Sequence, residues 1–112
     1  MQWNATMLTA AETQLIQLTH SGELSHSDFS RKVCVKPLPG YGGDLLTEDE
    51  VEDIIDKFVT SAKVAYHAGA DGVDVKLCHG YLGSQFCRPY NDRDWKYGGP
   101  FENRMRFAYE IY

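Results

Sequence analysis

The strongest hydrophobic pattern along the chain is a helical one that follows Thr47. Apolar side chains recur there at three- and four-residue spacing, which places them on one face of a helix. They are Val51, Ile54, Ile55, Phe58, Ala62 and Ala65. Thr47 and Glu50 match a T-x-x-E capping box at the start of the pattern, and Gly69 suits its end. The sequence therefore predicts an amphipathic helix over residues 47–69.

Two strand-like patterns lie on either side of this helix. Residues 14–19, QLIQLT, are rich in leucine and isoleucine, and residues 20–22 add turn-forming chemistry. Residues 71–77, DGVDVKL, alternate apolar and polar side chains, so Asp74 and Lys76 are expected on one face of the strand. A strand, a helix and a strand in this order predict a crossover between parallel strands, and hence an α/β fold.

The pattern is weaker in the rest of the chain. Residues 23–43 are interrupted by Gly, Pro and Ser and predict a long loop with a short extended piece at residues 33–35. Residues 78–100 predict a polar loop, and residues 101–112 predict the start of a helix. Near the amino terminus, the only signal is Thr9, which could cap a short helix over residues 10–13.

Composition and charge narrow the possible classes of protein. The chain has 112 residues, 43% of them hydrophobic, and a net charge of −5, which fits one modest globular domain and argues against a nucleic-acid or anionic-membrane surface. No apolar stretch or leader-like segment predicts a membrane span or a signal peptide, so a cytoplasmic location is expected. Three cysteines and four scattered histidines predict neither a disulfide framework nor a metal site.

The candidate chemistry follows the strand at residues 71–77. Lys76, His79 and Tyr81 leave its carboxyl end, which is where α/β proteins usually bind ligands. An imidazole can hydrogen-bond a substrate oxygen, and a phenol can deliver a proton. Two structural alternatives compete with a site: Lys76 could pair with Asp74, and both rings could simply pack with their polar atoms in water.

Five ordered motifs extend from residue 17 to residue 107. They are QLTHSG at 17–22, AGADGVD at 68–74, HGYL at 79–82, QF at 85–86, and the series N-x-R, YGG and ENRMRF within 91–107. Together they resemble the motifs of the old yellow enzyme family of NADH:flavin oxidoreductases. Several motifs in the right order are much more specific than any one of them.

The resemblance implies a fold, a cofactor and roles for individual residues. The fold would be a partial (β/α)8 TIM barrel, about two β/α units around strands three and four, with FMN at its C-terminal face. Hydride would pass from NAD(P)H through the flavin to an electron-poor alkene or related small-molecule acceptor. Gln17 matches the glutamine that hydrogen-bonds the flavin pyrimidine ring. His79 matches a residue that holds the substrate carbonyl oxygen, and Tyr81 matches the tyrosine that protonates the substrate.

Three positions depart from the family pattern. Lys76 stands where the first member of a histidine pair is expected, and its ammonium could also donate to an oxyanion. Glu23 replaces an arginine and reverses a charge near the site. Asp94 and Trp95 shift the acidic residue that normally precedes YGG.

Length is the largest departure, because a TIM barrel needs ~250 residues and this chain has 112. We therefore expect a partial barrel that does not bind FMN tightly by itself and requires the missing remainder of the barrel or self-association. Two other hypotheses remain open from the sequence: a non-catalytic half-barrel remnant, and an α/β interaction module that needs a partner to fold.

Overall fold

The computed structural model describes the backbone of residues 2–6 and all of residues 13–112. Its elements are β1 (Gln2–Thr6), β2 (Leu15–Thr19), β3 (Val33–Cys34), β4 (Asp44–Leu45), α1 (Glu48–His67), β5 (Gly72–Val75), α2 (Leu82–Cys87) and α3 (Phe101–Ile111). A single 3-10 turn, Gly22–Leu24, follows β2. The elements predicted at 14–19, 47–69, 71–77 and 101–112 coincide with β2, α1, β5 and α3, whereas the helix predicted after Thr9 falls on residues outside those described.

Parallel pairing of β2 and β5 is the central feature of the main sheet. The strand order is β1-β2-β5, with β1 antiparallel to β2. Gln17 is opposite Asp74 in the β2–β5 register, and Leu18 is opposite Val75. Since α1 lies between these two strands in the chain, the predicted crossover and the α/β class are confirmed. The parallel pairing brings the carboxyl ends of both strands to one edge of the sheet.

Helix α1 has the predicted start, stripe and end. Glu50 N donates to Thr47 Oγ1 at 3.2 Å, and Thr47 N donates to Glu50 Oε1 at 3.2 Å, so the capping box is complete. Five residues of the apolar stripe are buried: Val51, Ile54, Ile55, Phe58 and Ala65. Gly69, with a φ of 95°, ends the helix in a conformation that favours glycine. Among the described residues, no helix is long and apolar enough to cross a membrane.

The core joins α1 to the sheet and to the two helices that follow β5. Leu18 of β2 and Val75 of β5 belong to the same buried cluster as Phe58 of α1. Phe107 of α3 meets Phe58 edge-on, with ring centroids 5.8 Å apart, and stacks on Phe86 of α2 at 4.4 Å. These aromatic contacts hold the loop after β5 against the rest of the domain.

Three elements were not predicted from the sequence. Residues 1–13 lack a strand-like apolar pattern, yet β1 pairs along the whole of β2. The extended piece predicted at 33–35 is present as β3, but its parallel partner β4, just beyond the predicted loop, was not predicted. The predicted loop at 78–100 contains α2, whose six residues are too few to show a helical apolar period.

Candidate functional site

The candidate site forms where the chain leaves β2 and β5 at the same edge of the sheet. Lys76 N donates to Leu18 O at 3.0 Å, which extends the parallel ladder one residue beyond β5. Leu82 N then donates to His20 O at 2.8 Å, which fixes the start of α2 beside the end of β2. The polar residues that follow both strands are therefore held on one side of the domain.

Gln17 and Asp74 occupy the polar face of the two central strands. They are opposite each other in register, and Gln17 Nε2 donates to Asp74 Oδ2 at 2.9 Å. The alternative in which Asp74 pairs with Lys76 is wrong, because within residues 13–112 no carboxylate lies within 4.0 Å of Lys76 Nζ. Asp74 thus takes its hydrogen bond from a neighbouring strand, which the spacing of Asp74 and Lys76 did not reveal.

Lys76 instead contacts Tyr81. The ammonium nitrogen lies 3.8 Å from the centroid of the phenol ring, a cation–π geometry. Both side chains are half-buried, and Tyr81 is also the residue that precedes α2. The structure therefore brings two of the three sequence-predicted residues after β5 into direct contact.

His79 lies on the exposed side of the same loop. Its φ is 61°, a left-handed conformation, and Gly80 follows with a φ of 75°. His79 Nδ1 is 3.3 Å from Cys78 Sγ. Within the described residues no hydrogen bond joins His79 to Lys76 or Tyr81, so the imidazole remains available to a ligand that approaches the loop.

Gln17 and Thr19 place two polar side chains on one face of β2. Thr19 is two residues after Gln17 and so shares its face. Thr19 is only 3% exposed, and its hydroxyl oxygen has no hydrogen-bond partner among residues 13–112. A buried hydroxyl without a partner is costly unless a ligand supplies one. An amide and a hydroxyl on one face can together hydrogen-bond a ligand that carries both donors and acceptors.

A buried ion pair lies beneath the loop and was not predicted. Glu23 is 2% exposed, and Arg88 Nη2 donates to its Oε1 at 2.6 Å. Within the described part of the chain, the second carboxylate oxygen of Glu23 and the Nε of Arg88 have no hydrogen-bond partner. The charge reversal noticed at Glu23 is therefore balanced within the chain by Arg88. No sequence signal connected these two residues, which are 65 positions apart.

The buried side-chain amides of Gln85 and Asn91 hydrogen-bond backbone carbonyl groups of the segment after β5. Gln85 is fully buried, its Nε2 donates to Gly80 O at 2.7 Å, and its Oε1 accepts from Glu23 N at 3.4 Å. Asn91 Nδ2 donates to the carbonyls of Phe86 and Tyr97. The sequence singled out both amides only as parts of motifs. The structure gives them a positioning role, Gln85 within α2 and Asn91 just after it.

His20, at the end of β2, makes the stability of the fold sensitive to acid. Burial, with a smaller contribution from the charge of Lys57, lowers the pKa of His20 from 6.5 to about 4. Because the unfolded chain binds this proton more readily, stability should be complete above the unfolded pKa and fall as the pH drops from 6.5 toward 4. Between pH 7 and about pH 5 we expect a loss of about 2 kcal/mol in the free energy of unfolding, measured by urea denaturation.

The variant His20→Gln is expected to flatten this pH dependence, because glutamine does not titrate. His67→Gln, at the exposed end of α1, is the matched control and should keep the original slope. An unchanged slope in His20→Gln would show that another group is responsible. Only free energies of unfolding measured above about pH 5 are compared, because carboxyl groups ordinarily titrate below that pH and would add their own contribution to that of His20.

Comparison with models of known protein families gives a match over nearly the whole chain. The model of the NADH:flavin oxidoreductase / NADH oxidase family matches residues 6–112. The NADH oxidase of Thermoanaerobacter brockii is 52% identical over 104 residues, covering 86% of this chain and 16% of that enzyme. The 12-oxophytodienoate reductase 1 of Oryza sativa is 49% identical over 67 residues, covering 59% of this chain and 18% of that enzyme.

Solved structures agree with the family match. A morphinone reductase in complex with tetrahydroNAD superposes with a TM-score of 0.73 at 29% identity, covering 85% of this chain and 33% of that one. A 2-naphthoyl-CoA reductase with its ligand gives a TM-score of 0.74 at 28% identity, covering 84% and 17%. The chain spans between 15% and 40% of the length of the curated relatives compared.

Proposed function

The chain belongs to the NADH:flavin oxidoreductase / NADH oxidase family, and we propose that it carries the substrate side of an FMN-dependent oxidoreductase of the old yellow enzyme type. The resemblance drawn from the sequence motifs is confirmed by this membership. We further propose that β2, α1, β5 and the helices after it are about two β/α units of a (β/α)8 barrel. The observation that carries the proposal is the polar cluster at one edge of the sheet, where Lys76 and Tyr81 follow β5 and Gln17 lies on the parallel strand β2.

In this proposal each polar residue at the edge has a separate task. FMN, when bound, would supply hydride taken from NAD(P)H to an electron-poor alkene. Gln17 and Thr19 would hold the edge of the flavin ring through hydrogen bonds. Lys76 and His79 would donate to the substrate oxygen and stabilise the charge that develops there. Tyr81 would transfer its phenolic proton to the substrate carbon.

An apolar groove beside the sheet is open to solvent, as expected if further β/α units of a barrel normally cover it. It has a volume of about 310 Å³ and is lined mainly by aliphatic and aromatic side chains of the sheet, α1 and α3, among them Leu18, Phe58, Ala62, Val73, Val75 and Ile111. Among the described strands, β5 pairs only with β2, so one edge of β5 has free backbone groups beside the groove. We propose that the next β/α units of a barrel cover both.

The isolated chain is expected to bind FMN only weakly. In α3, Arg104 Nη1 donates to Gly99 O at 2.8 Å and Arg106 Nε donates to Lys96 O at 2.9 Å. Because both guanidinium groups already donate to loop carbonyls, they are poorly placed to hold a phosphate. After mixing with FMN and desalting, the chain should show little flavin absorbance. A near-stoichiometric flavin spectrum would contradict this expectation.

The proposed function is tested by supplying the remainder of a barrel. The matched segment of the Thermoanaerobacter brockii NADH oxidase is replaced by the corresponding residues of this chain, and the purified chimera is assayed for bound FMN and for NADH-dependent alkene reduction. We expect flavin retention and alkene reduction. A folded chimera that binds no flavin would overturn the proposal.

A further inference from the structure

The turn that carries His79 is only weakly held by its own backbone. Its two central residues, His79 and Gly80, both have a positive φ, as in a type I′ turn. The hydrogen bond that closes the turn, from Tyr81 N to Cys78 O, is long at 3.4 Å. Because histidine has a Cβ, a left-handed backbone at its position is uncommon and needs support from the surrounding structure.

Gln85 of α2 gives this turn a short hydrogen bond from outside. Its Nε2 donates to Gly80 O at 2.7 Å, and its Oε1 accepts from Glu23 N at 3.4 Å. The side chain is fully buried, so a partner that lost this amide would be left as a costly unsatisfied group. A Cβ at Gly22 would lie 2.5 Å from Gln85 Oε1. The amide therefore fills the space between the segment after β2 and the turn after β5.

The two segments joined by this amide belong to different parts of the proposed site. Gln17, on the strand before the first segment, is proposed to hold the flavin, and His79 in the turn is proposed to hold the substrate oxygen. We propose that Gln85 is the positioning residue that keeps His79 in its left-handed conformation and fixes the turn relative to β2. The inference rests on the proposed function, because it concerns how the substrate-binding residue of that same site is held.

The test measures the conformation of His79 by NMR in the full 112-residue chain. At a positive φ the amide hydrogen and the Hα of one residue lie close together, so the NOE between them is strong. We expect this strong NOE for His79 in the unmodified chain. Gln85→Met removes the amide with little change in volume, and most of the NOE should be lost. Gln85→Asn, whose amide is one carbon shorter, should have the same effect and is the second variant if Gln85→Met does not fold.

Asn91→Leu is the matched control for the loss of a buried amide. Asn91 is as fully buried as Gln85 and also donates to backbone carbonyls, but these belong to Phe86 and Tyr97, which lie outside the turn. This variant should be less stable and should keep the strong NOE of His79. A weak NOE in the unmodified chain, or an unchanged NOE in folded Gln85→Met, would overturn the inference, since the second result indicates a merely structural role.

The chimera separates this inference from the proposed function. Gln85→Met in the chimera should leave FMN bound and lower kcat/KM for an enone by about 10²-fold, which is the typical effect of misplacing a reacting group by about 1 Å. An unchanged kcat/KM would overturn the inference alone. If Gln85 controls the NOE of His79 in the chain but the unmodified chimera holds no flavin, only the proposed function is overturned.

Discussion

Replacing Tyr81 by phenylalanine in the chimera is expected to slow alkene reduction by about 10²–10⁴-fold, the usual contribution of a positioned proton donor. Reduction of the bound flavin by NADH should continue at its original rate, because that step requires no proton from Tyr81. The two steps are measured separately by anaerobic stopped-flow absorbance, first with NADH alone and then with the alkene added.

Tyr109→Phe is the matched control for this substitution. Tyr109 lies on α3 and is 71% exposed, so loss of its hydroxyl should alter neither step. If Tyr81→Phe reduced the alkene at nearly the original rate, Tyr81 would not be the proton donor. If both steps slowed equally, the substitution would have disturbed the site as a whole.

Removing the guanidinium of Arg88 is expected to have the largest effect on stability. Arg88→Met leaves the carboxylate of Glu23 buried without its counter-ion, and breaking a buried pair in this way typically costs about 3 kcal/mol or more. Because Glu23 is 2% exposed and Arg88 is 24% exposed, solvent can relieve only part of this cost. The free energy of unfolding of the 112-residue chain in urea measures the effect.

Arg31→Met provides the matched comparison, since Arg31 is also paired with carboxylates but its side chain is 56% exposed. Arg31→Met should lower the free energy of unfolding by less than about 1 kcal/mol. The double variant Glu23→Leu with Arg88→Met should recover most of the stability lost in Arg88→Met, because no unpaired charge remains. If Arg88→Met and Arg31→Met lowered the free energy of unfolding equally, the burial of Glu23 would not make the Glu23–Arg88 ion pair more important for stability than an exposed pair.

Local sequence patterns were sufficient to predict a secondary-structure element when many of its residues repeat the same signal. Helix α1 shows its apolar stripe over about four turns and begins with a capping box, so its limits could be predicted closely. Helix α2 has only six residues, and its helical form depends on packing of Phe86 against Phe107 and Trp95. Such distant contacts leave no periodic signal near α2 itself.

In the candidate site too, the sequence predicted features set by neighbouring residues but not contacts between residues far apart in the chain. Alternation along β5 predicted that Asp74 and Lys76 share a face, but the partner of Asp74 is Gln17, 57 positions earlier. The contact between Lys76 and Tyr81 depends on the turn through His79 and Gly80, both with positive φ. The sequence singled out Lys76 and Tyr81, and the fold determined that their side chains are in contact.

The most direct test of the central claim is the reoxidation of reduced flavin in the chimera by an alkene in the absence of oxygen. The account predicts that NADH bleaches the flavin and that addition of an enone restores its absorbance, with the saturated ketone as the product. A chimera whose flavin is reduced by NADH and stays reduced with the enone would show that the segment does not carry the substrate side of the site.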